Sequence, residues 1–271
     1  MTERSSDARP GWRRRTLASV AAAGLLGLSC AGRAPISIPA FGAPVASTIV
    51  LFDPPRSFEE NWEPIVLGGE THYELAMAED RLALHAVADD SASGLIRELR
   101  IDPAQCPIVE WSWRVDQMHE HADLHEKEKD DVAASIFFLF GNPEAGFGER
   151  RVPTIRYVWT NGTSEEDEVI DNPYLPGTVR SIVVRNGRAR LGRWKRERRD
   201  LAADFRLGFG REPDDVVEAV ALFTDSDQTH ETVASWYGGA RALCNPDEAF
   251  DDADEEPARE TGVRSHDRDR D

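Results

Sequence analysis

The sequence lacks the short signatures that most often announce an enzyme. It has no GxSxG elbow, no phosphate-binding loop and no dinucleotide fingerprint. The HExxH pattern of zinc proteases is also missing, because Asp123 stands where the second histidine would be. Cysteine is scarce: there are three in 271 residues, and no second one lies near Cys106 to make a metal or redox pair. Positive charge is in deficit, with a formal net charge of -18, which argues against nucleic acid as the main partner. Nor is there an internal repeat at solenoid or propeller periods. These absences leave room for glycosidases and lyases, which need only dispersed carboxylates, Tyr or His.

What is present begins with an export-like start. Arg13, Arg14 and Arg15 precede "TLASVAAAGLLGLS", a run of about a dozen apolar or small residues, too short to span a bilayer comfortably. Residues 1–30 therefore read as an export signal, and Arg14-Arg15-Thr16-Leu17 has the form of a twin-arginine variant. Cys30 follows Leu28-Ser29 as a lipid-accepting cysteine would, although Gly27 replaces the usual Leu; the alternative is a cysteine removed with the signal. The expected location is the periplasm or the outer membrane, or else secretion, with membrane contact only through such an anchor. Residues 31–46 read as a linker, 47–244 as one folded domain and 245–271 as a disordered acidic tail, too poor in apolar groups to offset the entropy of ordering. With Cys30 lipidated or removed, Cys106 and Cys244 remain as an even pair in an oxidising compartment, where a disulfide can persist.

The body has period two. "TIVLF", "RLALHAV", "PIVEWSWRV", "ASIFFLF", "TIRYVWT", "VVEAVALFT" and "TVASWYGGARAL" are among about ten short segments rich in β-branched and aromatic residues, the pattern of a sandwich or barrel. In "PIVEWSWRV", Val109, Trp111, Trp113 and Val115 share one face, with Glu110, Ser112 and Arg114 opposite. Asn186-Gly187 predicts a hairpin turn. "RDLAADFRLGF" predicts one short helix starting near Asp200 and ending near Gly208.

Taken in order, "WSWRV", "KEKDD", "YVWT", "NPY", "GRWKRERRDLAADFRLGFG", "FTDSDQT" and "SWYGG" resemble the DUF3047 family, a domain of unknown function. The resemblance covers most of the body and implies an all-β, jelly-roll-like antiparallel β-sandwich with one short helix. It implies no activity. Sandwiches of this kind often bind glycans, which is a fold-level analogy. The His-rich "HEHADLHE" and the long "GNPEAGFGERRVP" depart from the family pattern.

Several constellations could carry chemistry. In "TDSDQTHE", Asp225, Asp227, Thr229 and Glu231 alternate, and such oxygens could hold Ca²⁺; the bland alternative is an Asx turn. Asp130 and Asp131, before an apolar strand, could join that site or could cap backbone amides. His119, His121 and His125 could bind Zn²⁺ but sit in a polar stretch that reads as an exposed loop. Trp111 and Trp113 read as core, whereas Tyr157, Trp159, Tyr174 and Trp194 are the candidates for stacking on a ligand. Three functions are then open: a glycan- or ligand-binding envelope module, a carbohydrate-active lyase or hydrolase, and a structural or assembly protein.

Overall fold

A computed structural model describes residues 48–54, 61–142 and 151–245. The expected export signal, Cys30, the linker, nearly all of the acidic tail and the middle of the long "GNPEAGFGERRVP" segment lie outside the described residues.

Among the described residues, thirteen strands form two sheets packed face to face. One is six-stranded: β11 (Lys195–Asp200), β6 (Ile108–Gln117), β13 (Thr232–Leu243), β4 (Arg81–Asp89) and β3 (His72–Ala78) lie side by side, and β1 (Thr48–Phe52) pairs with β13. The other is seven-stranded, in the order β2 (Glu63–Gly68), β5 (Ala92–Ile101), β12 (Val217–Asp225), β7 (Ala134–Phe140), β8 (Thr154–Thr160), β10 (Val179–Asn186) and β9 (Val169–Asp171). All pairings are antiparallel except β8 with β10. This is one of the two architectures that the alternation predicts, a sandwich, in the jelly-roll-like form that the family resemblance implies.

The core sits between the sheets. Val109, Trp111, Trp113 and Val115 of β6 are buried there, facing Tyr157 and Trp159 of β8 and Phe138 of β7. Trp111 stacks on Tyr157 with centroids 5.0 Å apart, and Trp113 packs at 6.1 Å on Trp159. Fully burying a side chain such as Leu84 or Ile155 stabilises the fold by about 1.5–3 kcal/mol, so this layer dominates the energetics. The disulfide Cys106–Cys244 ties the approach to β6 to the end of β13.

The edge β13 shows to β4 and β1 is divided between them. Residues 232–237 pair with β4 and residues 240–243 with β1, while β6 runs along its other edge. Gly238 lies at the changeover, where an added Cβ would sit 2.1 Å from Ser112 Oγ, so any side chain there would force the Ser112 hydroxyl to move.

Three features differ from expectation. Asn186-Gly187 makes no hairpin: Gly187 has a positive φ of 78°, but the chain then crosses to the other sheet, where β11 pairs with β6. The turn residue is spent on a crossover instead, with Gly187 N–H donating to Thr160 of β8. The helix α1 (Leu201–Phe209) starts as predicted, with Asp200 accepting from Ala203 N–H at 2.8 Å, but it runs through Gly208 and is capped by Gly210 in the left-handed region. Finally β11, "KRERRD", is a strand without one apolar residue. Its inward charges are consumed locally: Glu197 takes Trp113 Nε1 at 3.0 Å and two bonds from Arg185, and Arg199 grips buried Asp204. Inward charges on an edge strand also discourage pairing with another chain.

Candidate functional site

The four aspartates singled out in the sequence do converge. Asp130 ends a 3₁₀ turn (Lys127–Lys129) just before β7, and Asp225 ends β12, the antiparallel neighbour of β7. Both loops therefore leave the seven-stranded sheet at the same end. Between them lies Arg156 of β8, 3% exposed, which donates to Asp130 Oδ1 at 3.0 Å and sits 3.7 Å from Asp225 Oδ2. Its guanidinium also lies over the Phe137 ring.

The remaining oxygens are largely taken. Asp130 Oδ2 accepts from Asn172 Nδ2 at 2.7 Å, Asp131 accepts from the N–H groups of Gln228 and Thr229, and Asp225 Oδ1 accepts from Val132 N–H at 2.8 Å. Asp227 Oδ1 is buried without a hydrogen-bond partner. Among the described residues no group of three or more His, Cys, Asp or Glu is placed to share a metal ion. Where a calcium site would put a cation, this fold puts Arg156.

Burial is the main electrostatic force here. It pushes the Asp225 carboxyl up to about 8, against the pull of Arg156 and with help from Asp131 and Asp130. Burial likewise raises Asp130 in spite of Arg156. Both shifts run toward the protonated acid, the direction that relieves crowded negative charge. A loop over the outer face of this sheet closes the region, with Leu124 and Val132 packing on Val158, Ile170 and Val183.

The histidines do not meet. His119 is buried and its Nε2 lies 2.9 Å from the Asp225 carbonyl, which can only accept, so the proton is on Nε2. Burial lowers its pKa. His121 contacts Glu231, whereas His125 bridges Asp123 and Glu168, which raise its pKa.

The four aromatic candidates divide into two pairs. Tyr157 and Trp159 are buried in the core, their polar atoms held by Asp204 and by the Gly187 carbonyl, so no ligand can stack on them. Tyr174 and Trp194 lie nearer the surface, and each ring already carries a cation: Lys127 Nζ at 4.7 Å from Tyr174 and the Arg81 guanidinium at 4.8 Å from Trp194.

Arg81 leads to the region that sequence reasoning missed. On the outer face of the six-stranded sheet lies an open groove of about 300 Å³, lined among others by Asp53, Arg81, Glu110, Ser112, Arg196 and Arg241. Glu110 is its floor, 1% exposed, and its cross-strand neighbours are Arg198 on β11 and Arg241 on β13. Arg198 donates to Oε1 and Arg241 to Oε2, the latter at 2.9 Å. The bare Gly238-Gly239 pair keeps the adjacent surface low. The signal was available in part: Glu110 and Ser112 form the polar face of the tryptophan strand, and "RWKRERRD" holds the arginines, but nothing local says that the two strands pair.

The model of the family described as "Protein of unknown function (DUF3047)" matches residues 60–241. The chain belongs to this family. Comparison with curated protein sequences found no match. Among solved structures, the chain is similar to the family 11 carbohydrate-binding module of the cellulosomal cellulase Lic26A-Cel5E of Clostridium thermocellum, with 8% identity, 71% of this chain and 92% of that one covered, and a TM-score of 0.40. It is also similar to the family 11 xylanase from Neocallimastix patriciarum, with 8% identity, coverage of 67% and 96%, and a TM-score of 0.31. A third likeness, to the glycoside hydrolase domain of Endo-D from Streptococcus pneumoniae R6, has 12% identity, coverage of 69% and 22%, and a TM-score of 0.35. At such identities and TM-scores these likenesses say nothing about shared activity. As a member of the DUF3047 family, the chain must have its function argued from its own site.

Proposed function

We propose that this DUF3047 protein is an exported, envelope-associated β-sandwich that binds a glycan in the groove on the outer face of its six-stranded sheet. The observation that carries this reading is the groove itself, open to solvent and lined by hydrogen-bonding side chains held on paired strands. Sugar hydroxyls present donors and acceptors at close spacing. Guanidinium forks donate to them, while the Asp53 carboxylate and the Ser112 hydroxyl accept. An open groove also admits an extended chain, which an enclosed pocket would refuse. Arg81, whose guanidinium lies 4.8 Å from the Trp194 ring centre, is among its lining residues.

A second reading, a polysaccharide lyase or hydrolase, draws its support from the two carboxylates Glu110 and Asp53 in one groove. Against it, both oxygens of Glu110 are occupied by arginines, which suits an anchor better than a proton donor. The full chain should be tested for retention on envelope and plant polysaccharides, with product analysis of the eluate. Retention with intact polymer is expected. Shortened or unsaturated products would favour the enzyme, and no retention on any glycan would overturn both readings.

A further inference from the structure

One wall of the groove is built from the two ends of the domain. Six of its eleven lining residues, Val50, Phe52, Asp53, Gly239, Ala240 and Arg241, belong to β1, to the residue after it or to the second half of β13. β1 is five residues long, and among the described residues it pairs with one strand only, residues 240–243 of β13. β13 itself ends at Leu243, and the next residue, Cys244, is joined to Cys106 just ahead of β6. This two-strand wall is thus held by hydrogen bonds to β6, by burial of Leu51, Phe52, Ala242 and Leu243, and by one covalent cross-link. Strand ends fray first, since they open at the lowest free energy in a fold. The bridge sits at that end, beside the point where Leu243 faces both Ile108 and Thr48.

We infer that the Cys106–Cys244 disulfide is a redox control on this groove; the inference rests on the glycan-binding reading above. Oxidised, the bridge fixes the wall against which a glycan lies. Reduced by a dithiol, it lets β1 and the end of β13 fray, and the groove loses that side. Cys106 is buried and Cys244 half-buried, so attack falls on the sulfur of Cys244. A reductant thiolate bonds to that sulfur as the S–S bond breaks, and Cys106 leaves as a thiolate that takes up a proton. The second thiol of the reductant then displaces Cys244, which is protonated in turn, and the dithiol departs as its own disulfide, having supplied both electrons. The effect is local, because residues 232–237 of β13 keep their pairing with β4 and β6, and the seven-stranded sheet does not touch the bridge through any strand pairing. Thiols persist inside a cell and disulfides form outside it, so an exported chain acquires the wall only once it has left.

The test compares the full chain oxidised, the same chain reduced with dithiothreitol, and the double variant Cys106→Ala with Cys244→Ala. Retention is read on immobilised cellulose, xylan, polygalacturonate and peptidoglycan, and amide hydrogen exchange is followed in every form. A reference variant, Val183→Ala in the small cluster of the other sheet, separates local loosening from general loss of stability. Each form is assayed at the same margin below its own melting temperature. Retention should fall at least about tenfold in the reduced and cysteine-free forms, as expected when a few hydrogen-bonding groups leave a site. It should return when the reduced wild type is reoxidised, and it should persist in Val183→Ala. Exchange should quicken in residues 48–52 and 240–243 while β7, β8 and β12 stay slow. Equal retention by oxidised and reduced chains would overturn the redox control and leave glycan binding intact. So would exchange that stays slow in the wall, exchange that quickens evenly over both sheets, or a matching loss of retention in Val183→Ala. An oxidised chain retained on none of the four polymers would overturn the glycan reading, and the control of that site with it.

Discussion

Two charged clusters in this sandwich are built with opposite composition. At the end of the seven-stranded sheet one arginine, Arg156, lies among the carboxylates of Asp130 and Asp225. On the outer face of the six-stranded sheet one carboxylate, Glu110, lies between Arg198 and Arg241. The first is closed over by a loop and its own small core; the second opens on solvent. Burial decides what becomes of the surplus charge. In the closed cluster burial raises the affinity of the Asp225 carboxyl for its proton, whereas in the open one the arginines beside Glu110 keep contact with water. The comparison teaches that convergence of like side chains marks a site only where solvent can reach it.

The closed cluster should break hardest. Arg156→Met keeps bulk but leaves two buried carboxyls without their cation, and is expected to lower stability by about 3–5 kcal/mol in urea denaturation. A loss under about 1 kcal/mol would show that the carboxyls find another partner.

Next in size is a pH effect. The Asp225 carboxyl binds its proton more tightly folded, at about 8, than unfolded, at an ordinary value of 3.8. Its contribution to stability is thus fully present at pH values below the unfolded pKa and is lost as pH rises through the folded one. The wild type should melt higher at mildly acidic than at mildly alkaline pH, and Asp225→Asn should narrow that gap. An equal gap in both proteins would remove Asp225 as its cause.

In the open cluster Glu110→Gln should cost only about 0.5–1 kcal/mol, because both arginines are more than one-third exposed and keep their water. Its effect on glycan retention should be larger than its effect on melting, and the reverse would make Glu110 a structural residue alone. The smallest expected change is with calcium. A ligand held at a hundredfold excess over its Kd stabilises by about 2.7 kcal/mol, yet Ca²⁺ and EGTA should leave the melting temperature unmoved, since the oxygens of Asp130 and Asp131 already accept internal donors.

Much of this architecture was legible in the sequence, for a physical reason. Alternating β-branched and aromatic residues mark strands with one face buried, so β6, β7, β8, β12 and β13 could be placed within a residue or two. The all-charged β11 could not, because its inward residues are satisfied by side chains on three other elements, Trp113 of β6, Arg185 of β10 and Asp204 of α1, whose approach no local pattern announces. Asn186-Gly187 gave a true positive φ and a false hairpin, since backbone sign is local and the strand partner is not. The meeting of Asp130, Asp131, Asp225 and Asp227 was foreseeable as a possibility of loop position. Arg156 was invisible as their counter-ion: in "TIRYVWT" it is one polar residue on a strand, and only the third dimension sets it between two aspartates. The groove was hidden for the same reason, its arginines and its glutamate coming from separate strands.

The place of β13 bears on when the sandwich can form. It is the last strand among the described residues and the middle of its sheet, joining β6 on one side to β4 and β1 on the other, with Thr48 set opposite Leu243. Until that strand is synthesised, β1 has no neighbour and the sheet exists only as two separate ribbons, β11 with β6 and β4 with β3. Closure joins the two ends of the domain, the slowest kind of contact for a chain to make. The seven-stranded sheet needs no part of β13, whereas the six-stranded one is completed only when β13 enters between its two ribbons.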